Sequence, residues 1–76
     1  MKLPQVSGKE VLKALLRQGF EKKGGKGSHV NLIKETPGKT FHVTIPIHAN
    51  RDLNPTVIKS IMRQSGYSLE EFTKIL

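Results

Sequence analysis

The stretch SHVNLIKETPGKTFHVTIPI, residues 28–47, decides the fold of this chain. From Thr40 to Ile47 the residues alternate. Phe41, Val43, Ile45 and Ile47 fall on one face of an extended strand, and His42, Thr44, Pro46 and His48 on the other. Ser28 to Lys34 reads as a second strand, with Val30 and Leu32 on the apolar side and His29, Asn31 and Ile33 opposite. Between them Thr36-Pro37-Gly38-Lys39 is a turn signal, Pro pre-setting one backbone angle and Gly supplying the permissive one. Strands joined this tightly pair antiparallel. If the turn sets Leu32 opposite Val43, His29 faces Pro46 and lies diagonal to Thr44 and His48, about 7–8 Å from each. Two side chains so placed can flank one phosphate.

Outward from this hairpin, the flanks read as helices. Ser7 followed three residues later by Glu10 is a capping-box pattern, and Val11, Leu12, Leu15 and Leu16 continue it as an amphipathic helix over residues 8–18, stopped by Gly19. Phe20 begins a further extended segment, to which Lys22 and Lys23 lend little apolar support. Asn54 caps a second helix with Pro55 at its first position, and Val57, Ile58, Ile61 and Met62 repeat the spacing until Gly66. Ser68 and Glu71 form another capping box, opening a short terminal helix through Leu69, Phe72, Ile75 and Leu76. The expected fold is therefore α+β. A three-stranded antiparallel sheet lies in a two-layer α-β-β-β-α arrangement with a short C-terminal helix, one sheet face covered by helices and the other open.

Size and composition bound the function. Seventy-six residues make one domain, 1–76, that buries roughly 60% of its unfolded surface. No apolar stretch approaches the ~20 residues of a bilayer span, and the N-terminus MKLPQVSGKE has no signal-like apolar region. The expectation is a cytoplasmic domain with no membrane partner. Zero cysteines remove disulfides, zinc fingers and cysteine nucleophiles. Thirteen Lys+Arg against six Asp+Glu give a formal net charge of +7. Residues 1–39 hold nine basic and three acidic side chains, residues 40–76 four and three. Such asymmetry points to a basic face, whose partner is a polyanion or simply water.

The chemistry concentrates at Lys22-Lys23-Gly24-Gly25-Lys26-Gly27-Ser28-His29. Lysines and glycines without a carboxylate let phosphates approach backbone N–H groups unobstructed. The spacing is not that of a Walker A loop. Composition leaves two readings open, a phosphate cradle and a flexible basic hairpin tip. His42 and His48 lie about 20 Å apart on one extended strand, too far to share a metal. Asp52 is the only aspartate, and the glutamates at 10, 21, 35, 70 and 71 sit on helices or turns. No metal site and no cofactor is expected.

A resemblance runs through Leu3-Pro4, Ser7-Gly8-Lys9-Glu10, Gly19-Phe20, Lys26-Gly27-Ser28-His29, Ile45-Pro46-Ile47-His48 and Ile61-Met62-Arg63-Gln64-Ser65-Gly66. Together, from about Leu3 to Phe72, these segments resemble the HicA family, small toxins of toxin–antitoxin pairs described as mRNA interferases with a fold similar to double-stranded-RNA-binding domains. The resemblance implies that His29, in the Gly-Ser-His triplet, is catalytic. It implies single-stranded mRNA as substrate and a HicB-type antitoxin as inhibitory partner. Family members often carry an apolar pair and an arginine where this chain has Lys22-Lys23-Gly24-Gly25.

Chemistry and resemblance converge on metal-independent RNA cleavage. RNA carries its own nucleophile, the 2′-OH. Cleavage then needs a base for the 2′ proton, positive charge on the transition state and an acid for the leaving 5′ oxygen. Histidine suits base or acid, because its ordinary pKa near 6.5 keeps both forms present at neutral pH. The expected site is thus His29 for proton transfer, with Lys22, Lys23, Lys26, Gly27, Ser28 and His48 holding RNA. The alternatives are a non-catalytic RNA-binding module of the same shape and, given the altered residues 22–25, an inactive toxin that only binds its antitoxin.

Overall fold

A computed structural model of the chain describes residues 3–25, 27–47 and 52–76. Its elements are α1 (Gly8–Arg17), β1 (Glu21–Lys22), β2 (His29–Thr36), β3 (Lys39–Pro46), α2 (Pro55–Ser65) and α3 (Leu69–Ile75). The strands form one antiparallel sheet in the order β1-β2-β3. The shortest dimension of the molecule, 19 Å, is that of one sheet and one helical layer. The expected α+β architecture is the observed one.

The hairpin register is the one the alternation predicts. Leu32 pairs with Val43 and His29 with Pro46. Leu32, Val43 and Ile45 are buried against the helices, while Asn31, His42 and Thr44 are exposed on the other face. The turn differs in detail. It closes tightly around Pro37, with the Gly38 N–H donating to the Thr36 carbonyl at 2.8 Å, and the Thr36 hydroxyl bonds the Lys39 carbonyl. Gly38 is not among the glycines with positive φ, so the permissive angle expected of it is unused.

Each helix starts where its cap says it should. Ser7 accepts from the Glu10 N–H and Asn54 from the Val57 N–H, each satisfying an orphan donor of a first turn. At α3 the box is reciprocal, the Ser68 N–H also donating to Glu71. Those bonds hold the Glu71 carboxyl below its usual pKa. At α1 only the Ser7 half of the expected box forms, and Ser7 is instead bridged antiparallel to Asp52.

Helix α1 is also rotated from its expected face. Gly8, Val11, Ala14 and Leu15 are buried, whereas Leu16 is 42% exposed. The cause is Gly8. A side chain there would strike the Pro46 carbonyl oxygen and crowd Ile47, so the helix N-terminus lies directly on the end of β3 and its phase follows. In α2 the buried positions are Ile58, Ile61 and Ser65. Ser65 is accommodated because its hydroxyl donates back to the Ile61 carbonyl at 2.8 Å. Gly66 ends α2 in the left-handed region, φ 80, against the Phe41 ring. Phe72 of α3 completes the core with Val11, Leu15, Phe20, Leu32, Val43, Ile45, Ile58 and Ile61. A seven-residue helix is too short to hold alone, and burial of Phe72 anchors it.

Candidate active site

His29 opens β2 opposite Pro46 and is exposed. Its neighbours Val30 and Leu32 turn toward the helices, so alternation places His29 on the open face with Asn31. Strand β2 is central in the sheet, and its backbone here is fixed from both sides. The Ile47 N–H donates to the Ser28 carbonyl, carrying the β2–β3 ladder one step past His29. On the other side the Lys23 N–H donates to the Asn31 carbonyl at 2.8 Å, and the Asn31 N–H donates to the Gly24 carbonyl at 3.0 Å. Two residues therefore oppose one, as in a β-bulge, and the chain turns sharply into the loop.

The glycines of that loop have distinct tasks. Gly24 and Gly27 take positive φ, 104 and 58, which L side chains rarely adopt. Gly25 is constrained by space: a Cβ would strike the His29 carbonyl oxygen and approach the Val30 Cα to 3.1 Å. The loop thus packs directly on the strand segment that carries His29. This favours a built support over a loose hairpin tip. It also gives a physical content to the departure at 22–25, since Gly-Gly permits an approach that an apolar or arginine side chain would block.

The lysines divide by face. Lys22 pairs with Leu32 and so belongs to the helix-side parity at the margin of the sheet, whereas Lys23 stands beside Asn31 on the open side. Both are exposed. Ser28 falls on the parity of Val30, and it and Gly27 are exposed. Lys26 and His48 lie outside the described residues. His42 is on the open face opposite Ile33, four positions from His29 along β2, or about 13 Å. Glu21 also pairs with Ile33. Among the described residues the open face carries Lys23 beside Asn31 and the carboxylates Glu21 and Glu35, and all three border one hollow.

Asn31 and Thr44 are joined to each other on the open face and, through Thr44, to helix α2. The Thr44 hydroxyl donates to Asn31 Oδ1 at 3.0 Å. The Thr44 backbone N–H, at the outer edge of β3, donates to Gln64 Oε1 at 3.0 Å, and Gln64 Nε2 donates to Ser60 Oγ at 3.3 Å. Helix α2 thereby closes an otherwise unpaired position of the edge strand. The signal was present in the Arg63-Gln64-Ser65-Gly66 segment, but a contact across 20 residues has no local periodicity to reveal it.

Neither of two surface hollows formed by described residues includes His29. One is bounded by Gly19, Glu21, Lys23, Ile33, Lys34 and Glu35, and another by Leu3, Pro4, Asp52, Leu53, Pro55 and Ile58. A histidine exposed on an open sheet face suits a polymer laid across it better than a small molecule enclosed by it. Among the described residues no three His, Cys, Asp or Glu side chains converge, and no helix is long and apolar enough to cross a membrane.

A family model described as the HicA toxin of bacterial toxin–antitoxin matches residues 8–67. That span covers both helices that flank the sheet, the glycine loop and His29. No curated protein matches the chain.

Proposed function

From the premise that this chain belongs to the HicA family and is the toxin of a toxin–antitoxin system, we propose that it is a ribonuclease that cleaves mRNA, with His29 as the proton-transfer residue. The observation that carries this reading is the exposure of His29 on the open face, at the foot of a carboxylate-free loop packed against its backbone.

His29 takes the proton of the 2′-OH as the 2′ oxygen bonds to phosphorus. The bond from phosphorus to the 5′ oxygen breaks, that oxygen takes a proton from water, and the hydroxide so formed is neutralised by the proton that His29 releases. The products are a 2′,3′-cyclic phosphate and a 5′-hydroxyl. Lys22, Lys23 and Lys26 hold the flanking phosphates, Gly27 and Ser28 let the backbone approach them, and His48 adds a further contact. No metal enters this scheme, because the nucleophile is internal to the substrate and the charge on phosphorus is met by protein donors.

Neither hollow formed by described residues includes His29, which favours one other reading, a module that binds RNA without cutting it. A fluorescent single-stranded RNA incubated with purified protein in excess EDTA separates the two. Fragments support the ribonuclease, and a stable complex with intact RNA supports the module.

The inhibitory partner is a HicB-type antitoxin that presents carboxylates to the basic loop and covers His29. Opposite charges there steer association and compete with RNA phosphates. Occlusion predicts that RNA and antitoxin exclude one another on the inactive His29→Ala protein, measured by competition titration. Unaltered RNA affinity at saturating antitoxin would show that inhibition acts elsewhere.

A further inference from the structure

We infer that Asn31 is a second catalytic residue, donating from its side-chain amide to a non-bridging oxygen of the phosphate undergoing cleavage. This inference rests on the ribonuclease reading and adds to it a transition-state donor. Asn31 lies two positions beyond His29 on β2, on the same open face, about 7 Å along the strand. That separation lets the two side chains flank a single phosphodiester, one at the 2′ oxygen and one at the phosphorus.

The amide has a side-chain partner on β3. The Thr44 hydroxyl donates to Oδ1, which occupies the acceptor end and leaves both N–H donors of Nδ2 to a ligand. Thr44 is held in turn, because its backbone N–H is bound by Gln64 from α2. A backbone N–H can only donate, so Gln64 must offer its oxygen, and Gln64 Nε2 then donates to Ser60. The Asn31 backbone is pinned on the opposite side by Lys23 and Gly24. Such a donor is held in place before substrate arrives, the condition under which a hydrogen bond to developing negative charge is most effective. Lys23 stands beside Asn31 on the other flank, so the row Lys23–Asn31–Thr44 crosses the sheet next to His29. Thr44 and Gln64 are positioning residues that act through Asn31.

Loss of one such donor costs about 10²–10³-fold in kcat. Asn31→Ala is expected to lower kcat by that factor with little change in KM, since the lysine loop supplies most of the binding. Asn31→Asp, which keeps the shape but offers no N–H and adds negative charge, should lose at least as much. Thr44→Val should lose part of it and Thr44→Ser should restore it. All these side chains are exposed, and unchanged thermal unfolding verifies that the variants fold.

The deciding experiment compares RNA with phosphorothioate RNA of both configurations. Sulfur accepts hydrogen bonds poorly, so the unsubstituted chain should cut one diastereomer more slowly, and Asn31→Ala should cut the two with nearly equal reduction. Unchanged kcat in Asn31→Ala overturns the inference, as does a slower variant that keeps the original ratio between diastereomers. Either result, with cleavage by the unsubstituted chain still lost in His29→Ala, leaves the ribonuclease reading standing. No cleavage by the unsubstituted chain overturns both.

Discussion

Alanine in place of His29 is expected to slow RNA cleavage about 10²–10⁴-fold, the usual cost of losing a general acid–base. Growth arrest on expression should disappear with it. The fold should survive, because His29 is exposed at the start of β2 and the bonds that hold the strand there are made by backbone atoms. Its neighbours Val30 and Leu32 supply the packing, and neither depends on the imidazole. Circular dichroism and thermal unfolding should match the unsubstituted chain. RNA binding should also persist, which makes the variant the proper reagent for affinity measurements. A folded His29→Ala protein that retains full toxicity would remove His29 from the chemistry.

The second large effect concerns affinity. Changing Lys22, Lys23 and Lys26 together to Gln is expected to remove three of the proposed phosphate contacts on a single strand, each adding about 0.7 to the salt slope. The slope of log affinity against log salt should therefore flatten by about 2, and affinity at 0.15 M salt should fall roughly 50-fold. The loss should be the same on every RNA sequence, since phosphates carry no sequence information. Filter binding at two ionic strengths measures both quantities. An unchanged slope would mean that these lysines face only solvent.

The sheet was legible because its signal is local. Alternation over 40–47 and the turn at 36–39 fixed both the pairing of Leu32 with Val43 and the face that holds His29. The helices were legible in position and less so in phase. Four leucine and valine positions suggested that Leu16 is inside, but the contact of Gly8 with Pro46 rotates α1, burying Ala14 and exposing Leu16. That contact joins residues far apart in sequence, and no periodicity within α1 encodes it.

The candidate site divides in the same way. The place of His29 followed from parity. The role of Gly25 did not, because a glycine required by space looks in sequence like one required by flexibility. The hydrogen bonds from the Thr44 N–H to Gln64 and from the Thr44 hydroxyl to Asn31 were equally hidden, the first being set by how α2 lies along the edge of β3. Composition marked a basic region, while only the fold separates Lys23, on the face of His29, from Lys22, at the helix-side margin.

The central claim is that RNA is cut by its own 2′-OH with a protein histidine moving the proton. Mass spectrometry of the ends left on RNA digested in excess EDTA tests it most directly. The account predicts fragments ending in 2′,3′-cyclic phosphate and beginning with 5′-hydroxyl, formed by the unsubstituted chain and absent with His29→Ala. Intact RNA, or fragments with 5′-phosphate and 3′-hydroxyl ends that require an external water as nucleophile, would contradict it.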